Sequence, residues 1–243
     1  MQSLAMRIIA SRFKRTSYRF GVATCLAFTF AAANAQSFNV DVDISNGNPL
    51  GGAGAPSSAF GAAANQPGVW NALPAQTISG FGLLDLQGNA TSVSASCVGS
   101  GGAVGFNNPG NTGDFNFLLN DADRIGTGSL RYTLSNLANG FYRIFTYSVR
   151  PNVTQGSSDI TVAGATIPTV HVAGVMPGNS FILGVTHAIH EVNVTNGTLQ
   201  IRADGSPNDY INGFQIVSVP EPTPVIALTA LLILVWLPLK SRR

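Results

Sequence analysis

The chain has 243 residues, of which 45% are hydrophobic and only 10% are charged. Of its 13 basic residues, five precede Gln36 and three follow Pro222, so the intervening body has ten acidic residues against five arginines, a formal charge of −5. A body with net negative charge, no lysine and no basic cluster excludes nucleic acids as partners, because it has no basic surface to follow a phosphate backbone.

The N-terminal segment is both basic and apolar. Five Lys and Arg residues between positions 7 and 19 precede the apolar run 20–33, and Ala33 and Ala35 place small residues where a signal peptidase reads them. We therefore predict a signal peptide over residues 1–35, with cleavage between Ala35 and Gln36. The export machinery and signal peptidase are then partners of the chain, and the body (36–218) is large enough for one domain with a sizeable core.

The first body segment, SFNVDVDI (37–44), alternates apolar residues with Asn39, Asp41 and Asp43. A period of two predicts a strand with one face in the core and the other in water. Residues 45–68 are rich in Gly, Ala, Ser and Pro and have no period, which predicts a long surface loop.

Further strand patterns are punctuated by turn residues. They lie at 91–98, 129–137, 140–150, 158–164, 166–174, 180–205 and 209–219. Asn196-Gly197 predicts a two-residue hairpin, and Ile211, Phe214 and Ile216 are predicted core residues of the last strand. No segment of the body has the pattern of an amphipathic helix. We predict an all-β fold, an antiparallel two-sheet β-sandwich of the jelly-roll type.

Patterns that would indicate catalysis are weak. His187 and His190 are three residues apart on a strand, where they face opposite sides, and Glu191 lies outside them, so the zinc-protease pattern is absent. Cys97, the one cysteine of the body, lies in a strand pattern and is predicted to be a buried apolar residue rather than a nucleophile. We predict no catalytic residues and no enzyme activity.

We predict no cofactor for the body, with one alternative, a Ca²⁺ ion bound by Asp121 and Asp123. Together with Asn120 they can supply oxygen ligands to Ca²⁺, although the twelve-residue calcium-loop pattern is absent. An ordinary solvated turn is the other interpretation, and we favour it.

Aromatic residues can form a platform on which a sugar ring stacks. Trp70 is the only tryptophan of the body and follows the long loop directly. It is a candidate ligand-binding residue, and the alternative is a plug packed beneath that loop. Tyr142 and Tyr147 lie in a strand pattern and are predicted to belong to the core or a sheet face.

The C-terminal segment consists of Val219-Pro220-Glu221-Pro222, an apolar run at 225–239, and a tip with Lys240, Arg242 and Arg243. Fifteen helical residues span roughly 22 Å, against about 30 Å for a bilayer core, which makes this a short membrane helix. The basic tip favours a cytoplasmic end and so places the body outside the inner membrane.

This tail (219–243) resembles the PEP-CTERM sorting signal of bacterial surface proteins, although family tails often carry glycine in the apolar helix and this one has none. The resemblance implies that an exosortase-type enzyme recognises the sorting motif Pro220, Glu221 and Pro222. The inner membrane is then a transient partner, and the final location is the cell surface or extracellular matrix. An ordinary C-terminal membrane anchor is the alternative.

The body also resembles malectin-like and related galactose-binding-like jelly-roll domains. The resemblance lies in LSNLANGFYRIFTYSV and in VTNGTLQIRADGSPNDYINGFQIV, whose ending in those families is a signature of the core. It implies a fold more than a ligand. Together with the tail it suggests a non-catalytic surface protein with exopolysaccharide as a candidate partner. A matrix polysaccharide-active enzyme and a purely structural surface protein remain the alternatives.

Overall fold

The structure, a computed structural model, describes residues 36–44, 52–126, 128–150, 156–204 and 209–220. The signal peptide ending at Ala35, and the tail from Glu221 onwards with its apolar run 225–239, lie outside these residues. Across the described ranges, no helix is long and apolar enough to cross a membrane.

The described residues form fourteen strands and one short helix. In chain order these are β1 (Phe38–Asp43), β2 (Trp70–Pro74), β3 (Ile78–Leu84), β4 (Ala90–Val98), β5 (Ser100–Gly105), α1 (Asp114–Leu119), β6 (Asp121–Ile125), β7 (Leu130–Ser135), β8 (Gly140–Tyr147), β9 (Gly156–Val162), β10 (Thr169–Gly174), β11 (His187–Val194), β12 (Thr198–Asp204), β13 (Tyr210–Ile211) and β14 (Gly213–Val219).

Two large sheets enclose the main core. One has the strand order β11-β8-β14-β1-β2 and the other β10-β9-β12-β7-β4-β3. Side chains from both sheets form one continuous apolar cluster, because alternate residues of each strand point inward. Ile211, Phe214 and Ile216 are fully buried in this cluster, as predicted, and Cys97 and Tyr142 belong to it as well.

The all-β, largely antiparallel prediction is confirmed, with three differences. β1 and β2 pair in parallel, and a third sheet of order β13-β6-β5 lies beside the two large ones. The helix α1 was not predicted. It is only six residues long and begins after Gly113 without a side-chain cap, so it presents too few turns to show a helical period.

The predicted hairpin at Asn196-Gly197 is wrong. β11 pairs with β8 in the first sheet, whereas β12 pairs with β7 and β9 in the second. The segment is therefore an arch that carries the chain from one sheet to the other. Gly197 has φ 70°, which an arch can require as much as a hairpin does. The connection from β7 to β8 is a second arch, and the Leu137 amide donates to the Gly197 carbonyl at 3.0 Å to join the two.

The prediction that one face of β1 lies in water is also wrong. Asn39 and Asp41 are fully buried, although they alternate with core residues as a surface face would. The described part of the long loop, 52–68, and helix α1 pack over this outer face, with Leu118 of α1 fully buried. β1 therefore has protein on both sides, and its polar residues lie in a second buried layer.

Candidate cation site

Strand β1 places two carboxylates on its outer face. Asp41 and Asp43 are two residues apart, so their side chains point to the same side of the sheet. Asp41 pairs with Gly213 of β14 on one side and Ala72 of β2 on the other. A Cβ atom at Gly213 would lie 2.5 Å from the Val40 carbonyl oxygen and 2.9 Å from the Leu118 side chain, so glycine here permits the close approach of α1.

The third carboxylate, Asp121, is positioned by α1. The helix ends before Asn120, and β6 begins at once with Asp121. Asn212 fixes the main chain at this point, because its side-chain amide donates to the Asp121 carbonyl at 2.7 Å and to the Leu119 carbonyl at 3.3 Å. The Asn212 carbonyl also accepts the Val42 amide of β1 at 2.9 Å. One asparagine thus ties the two carboxylate-bearing strands together.

The three carboxylates converge. One oxygen from each of Asp41, Asp43 and Asp121 lies within 4.8 Å of the others. Both oxygens of Asp41 and Oδ1 of Asp121 are buried without a hydrogen-bond partner. The remaining oxygen of Asp121 accepts the Ile44 amide at 3.1 Å, and one oxygen of Asp43 accepts the Gly54 amide at 3.0 Å.

Charge at this site is poorly compensated by the protein. Burial, followed by the charge of Asp43, raises the pKa of Asp41, and burial, followed by the charge of Asp41, raises the pKa of Asp121. The ion pairs formed between described residues are Arg143–Glu191, His171–Asp159 and Arg202–Asp204, none of which touches the site. The carboxylates therefore need either protons or a cation.

The long loop closes over the site. Gly52 has φ 98°, and a Cβ atom there would lie 2.7 Å from the Asp121 Cβ atom, so only glycine allows this approach. Beside the half-buried Asp43 an open groove leads to solvent. It is lined by Asp43, Ile44, Ala72, Pro74, Ala75, Gln76, Gly102 and Ala103.

The predicted pair of Asp121 and Asp123 is divided between two environments. Both side chains are fully buried. Asp123 accepts hydrogen bonds from the Ser100 hydroxyl at 2.6 Å, the Tyr132 hydroxyl at 3.0 Å and the Cys97 thiol at 3.6 Å. Burial and the charge of Asp123 raise the pKa of the Cys97 thiol to about 12, so the thiol stays protonated and is a poor nucleophile.

Trp70 lies beneath the long loop. Its side chain is only 6% exposed, and its indole N–H donates to the Phe60 carbonyl at 3.0 Å. It belongs to an apolar cluster with Tyr147 and Leu118 on the outer side of the first sheet. A sugar ring cannot stack on Trp70 in this arrangement. The residue is packed beneath the long loop, the alternative given for it in the sequence.

His187 and His190 point to opposite sides of β11, as their spacing predicts. His187 packs against Phe145 and Tyr147 on the outer side, whereas Nε2 of His190 lies 3.2 Å from the Ile160 carbonyl of the other sheet. Burial lowers the pKa of His187 to about 4 and also lowers that of His190, so both rings are neutral at pH 7. The two rings do not meet at one site.

Sequence reasoning missed Asp41, Asp43, Asn212 and Gly52 as members of one site. The alternation of β1 indicated only that the two aspartates share a face. The sequence predicts only a core role for the Asn-Gly pair of the INGFQI ending, whereas in the structure the same two residues position the carboxylates.

A scan against protein-family models gives no match, and no curated protein matches the chain. Among solved structures, a β-glucuronidase from Bacteroides uniformis is similar at 13% identity and TM-score 0.43, covering 76% of this chain and 18% of that one. A family 35 carbohydrate-binding module from Clostridium thermocellum is similar at 16% identity and TM-score 0.33, covering 51% of this chain and 92% of that one. A CBM35 from Cellvibrio japonicus shows 14% identity, TM-score 0.30, and coverages of 52% and 95%. At these TM-scores the likenesses assign neither a fold nor a ligand to this chain.

Proposed function

We propose that this chain is an exported bacterial protein of the cell surface or extracellular matrix, sorted through its PEP-CTERM-type tail, whose β-sandwich binds exopolysaccharide without chemical change. The observation that carries the proposal is the pair of terminal segments around an acidic, lysine-free body. An export signal before the body and a motif–helix–basic tip after it are typical of a protein that crosses the inner membrane and is then processed.

The geometry of the body supports display on a surface. β1 and β14 are neighbours, and Ser37 and Ser218 are joined by hydrogen bonds of 3.0 and 3.2 Å, so the chain enters and leaves the sandwich at one end. Pro220 of the sorting motif follows β14 directly. Asp43 lies at the other end of β1, about 16 Å away at the rise of a strand. The groove beside Asp43 therefore lies at the opposite end of the β1–β14 pair from Pro220.

A non-catalytic role fits the burial of the carboxylates. Asp41 and Asp121 are fully buried, so a glycosidic bond in the groove cannot reach them, and glycoside hydrolysis needs two carboxylates in contact with the substrate. The groove instead offers the Asp43 carboxylate and the exposed Gln76 amide as hydrogen-bonding groups. Of the aromatic side chains in the described ranges, only Phe81 and Phe141 are markedly exposed, so hydrogen bonds rather than ring stacking dominate the proposed contact.

The sorting proposal predicts the mass of the surface protein. We expect protein extracted from the cell surface to begin at Gln36 and to lack the apolar run 225–239. Intact-mass spectrometry of that fraction measures both ends at once. A surface fraction that retains the residues up to Arg243 would contradict sorting and favour an ordinary anchor.

The binding proposal predicts retention of the processed protein on the organism's own matrix polysaccharide. Affinity per site is expected to be about millimolar to micromolar, and display of many copies would strengthen adhesion. Ala103→Arg places a long charged side chain in the groove and is expected to abolish retention. Ala163→Arg, the same change at an exposed turn after β9, is the control and should be retained like the unchanged protein.

The same retention experiment tests the role of Trp70. Because its ring is buried, Trp70→Phe is expected to lose about 1 kcal/mol of stability with its indole hydrogen bond and to be retained normally. Weaker retention of a folded Trp70→Phe protein would identify Trp70 as a ligand residue. Absence of retention of the unchanged protein would leave a purely structural surface role.

A further inference from the structure

We infer that Asp41, Asp43 and Asp121 form a calcium-binding site that fastens β1, β6 and the loop residues Gly52 and Gly54 together. This inference goes beyond the proposed function and does not depend on it, because it concerns an ion held by the body itself. It rests on the convergence of three carboxylates within 4.8 Å and on the burial of their unpartnered oxygens.

A bound cation accounts for the geometry better than hydrogen bonding does. Buried polar atoms in proteins are almost always paired, and here three carboxylate oxygens of two fully buried residues have no partner. A proton shared between two of the carboxylates would form one hydrogen bond between them. The third carboxylate would still lie beside that pair without a compensating charge. A divalent cation lying between the carboxylates would pair with all three and compensate most of their charge.

The donor set indicates the class of ion. Its ligands are carboxylate oxygens, which hard cations prefer, and no histidine or cysteine belongs to the group, which makes zinc and copper poor candidates. Mg²⁺ usually keeps several waters in a strict octahedron, and two of the three carboxylates here are fully buried. Ca²⁺ accepts more protein oxygens in a flexible geometry, and the groove at Asp43 gives water access to one side of the site.

The ion would hold together parts of the chain that are distant in sequence. The Ile44 amide bonds to Asp121, the Gly54 amide bonds to Asp43, and Gly52 packs against Asp121. The described part of the long loop, from Gly52 onwards, continues over the outer face of the first sheet to Trp70. Removal of the ion is therefore expected to loosen this loop before it affects the two-sheet core.

The test is equilibrium dialysis of the full-length chain, purified in detergent and stripped with chelator, against radioactive Ca²⁺. We expect one ion per chain with a dissociation constant of about 10⁻³ M or below, as in extracellular calcium modules, and weaker competition by Mg²⁺. Asp41→Asn is expected to weaken binding at least about a hundredfold, since even indirect partners of metal ligands contribute 10–100-fold. Asp159→Asn, which removes an exposed carboxylate from β9, is the control and should bind like the unchanged chain.

Loss of folding is separated from loss of a ligand by thermal melting in chelator. Asp41→Asn removes a buried charge and keeps the shape of the side chain, so we expect it to melt at or above the temperature of the unchanged chain when no ion is present. Absence of saturable Ca²⁺ binding would overturn the inference, as would equal binding by a folded Asp41→Asn protein.

Discussion

Gln215→Leu is expected to lower the free energy of unfolding by about 3–5 kcal/mol, because it breaks the polar network that holds the long loop on the first sheet. The fully buried Gln215 amide donates to Asn39 Oδ1 at 2.8 Å and to the Gly61 carbonyl at 3.1 Å. Its carbonyl accepts the Tyr147 hydroxyl and the Ala64 amide. Leucine fills a similar volume and leaves the Tyr147 hydroxyl and the Ala64 amide without an acceptor, at about 1–3 kcal/mol for each that stays unpaired. Asn39 Oδ1 and the Gly61 carbonyl still accept hydrogen bonds from Gln66.

Thermal unfolding followed by circular dichroism measures this effect. At about 2–4 °C per kcal/mol for a domain of this size, the midpoint should fall by roughly 10 °C. Gln200→Leu is the matched control, because Gln200 is half-buried on β12 and its side chain makes no hydrogen bond within the described ranges. It should change stability by only about 0.5 kcal/mol. Equal midpoints for the two variants would show that the loop is held by other contacts.

Local patterns in the sequence were sufficient to predict strands. Alternation in β1, β7 and β12 depends only on neighbouring residues, and the structure places strands at each of those segments. The core positions Phe214 and Ile216 follow from the same period. These predictions succeed because a strand with a buried face needs apolar residues at every second position, whichever strand lies beside it.

Pairing between strands is not a local property. Asn196-Gly197 supplies the positive φ that a tight turn needs, and the chain uses it to cross between sheets rather than to form a hairpin. The parallel pair of β1 and β2 depends on how the long loop returns, which its Gly- and Ala-rich composition does not encode. Most strands could therefore be predicted, and topology could not. Strands β2, β3, β5 and β6 lie outside the predicted segments, and β6 lies where the sequence favours a solvated turn.

Burial of a polar face is also decided at long range. Asn39 and Asp41 have the spacing of a solvated face, and they are buried because α1 and the long loop cover them. Asp121 was a candidate ligand from its own sequence, with Asp123 as its expected partner. The structure pairs it instead with two aspartates of β1, which no local pattern connects to it.

The buried carboxylates predict an unusual dependence of stability on pH when no cation is present. Burial raises the pKa of Asp41 and Asp121 above the ordinary value of 3.8, so the folded state keeps protons that the unfolded chain has already released. The contribution of these groups to the free energy of unfolding therefore falls as pH rises from about 4 through the raised pKa values. Ca²⁺ binds the ionised carboxylates, so its stabilising increment should grow over the same range as protons cease to compete.

Other groups titrate in this range without obscuring the effect. His187 and His190 have lowered pKa values, so their protonation favours the unfolded chain as pH falls from 6.5. Burial raises the pKa of Asp123, which acts in the opposite direction. These contributions are the same with calcium and with chelator, and subtracting one stability curve from the other removes them.

The most direct test of the cation site is this difference, the free energy of unfolding with Ca²⁺ minus that with chelator, measured from pH 4 to pH 7. At a hundredfold excess of Ca²⁺ over its dissociation constant, we predict an increment of about 2.7 kcal/mol at pH 7. It should shrink towards zero near pH 4 and be about 0.4 kcal/mol or less for Asp41→Asn at the same Ca²⁺ concentration. An increment that does not change with pH, or that Asp41→Asn retains in full, would contradict a calcium ion held by these three carboxylates.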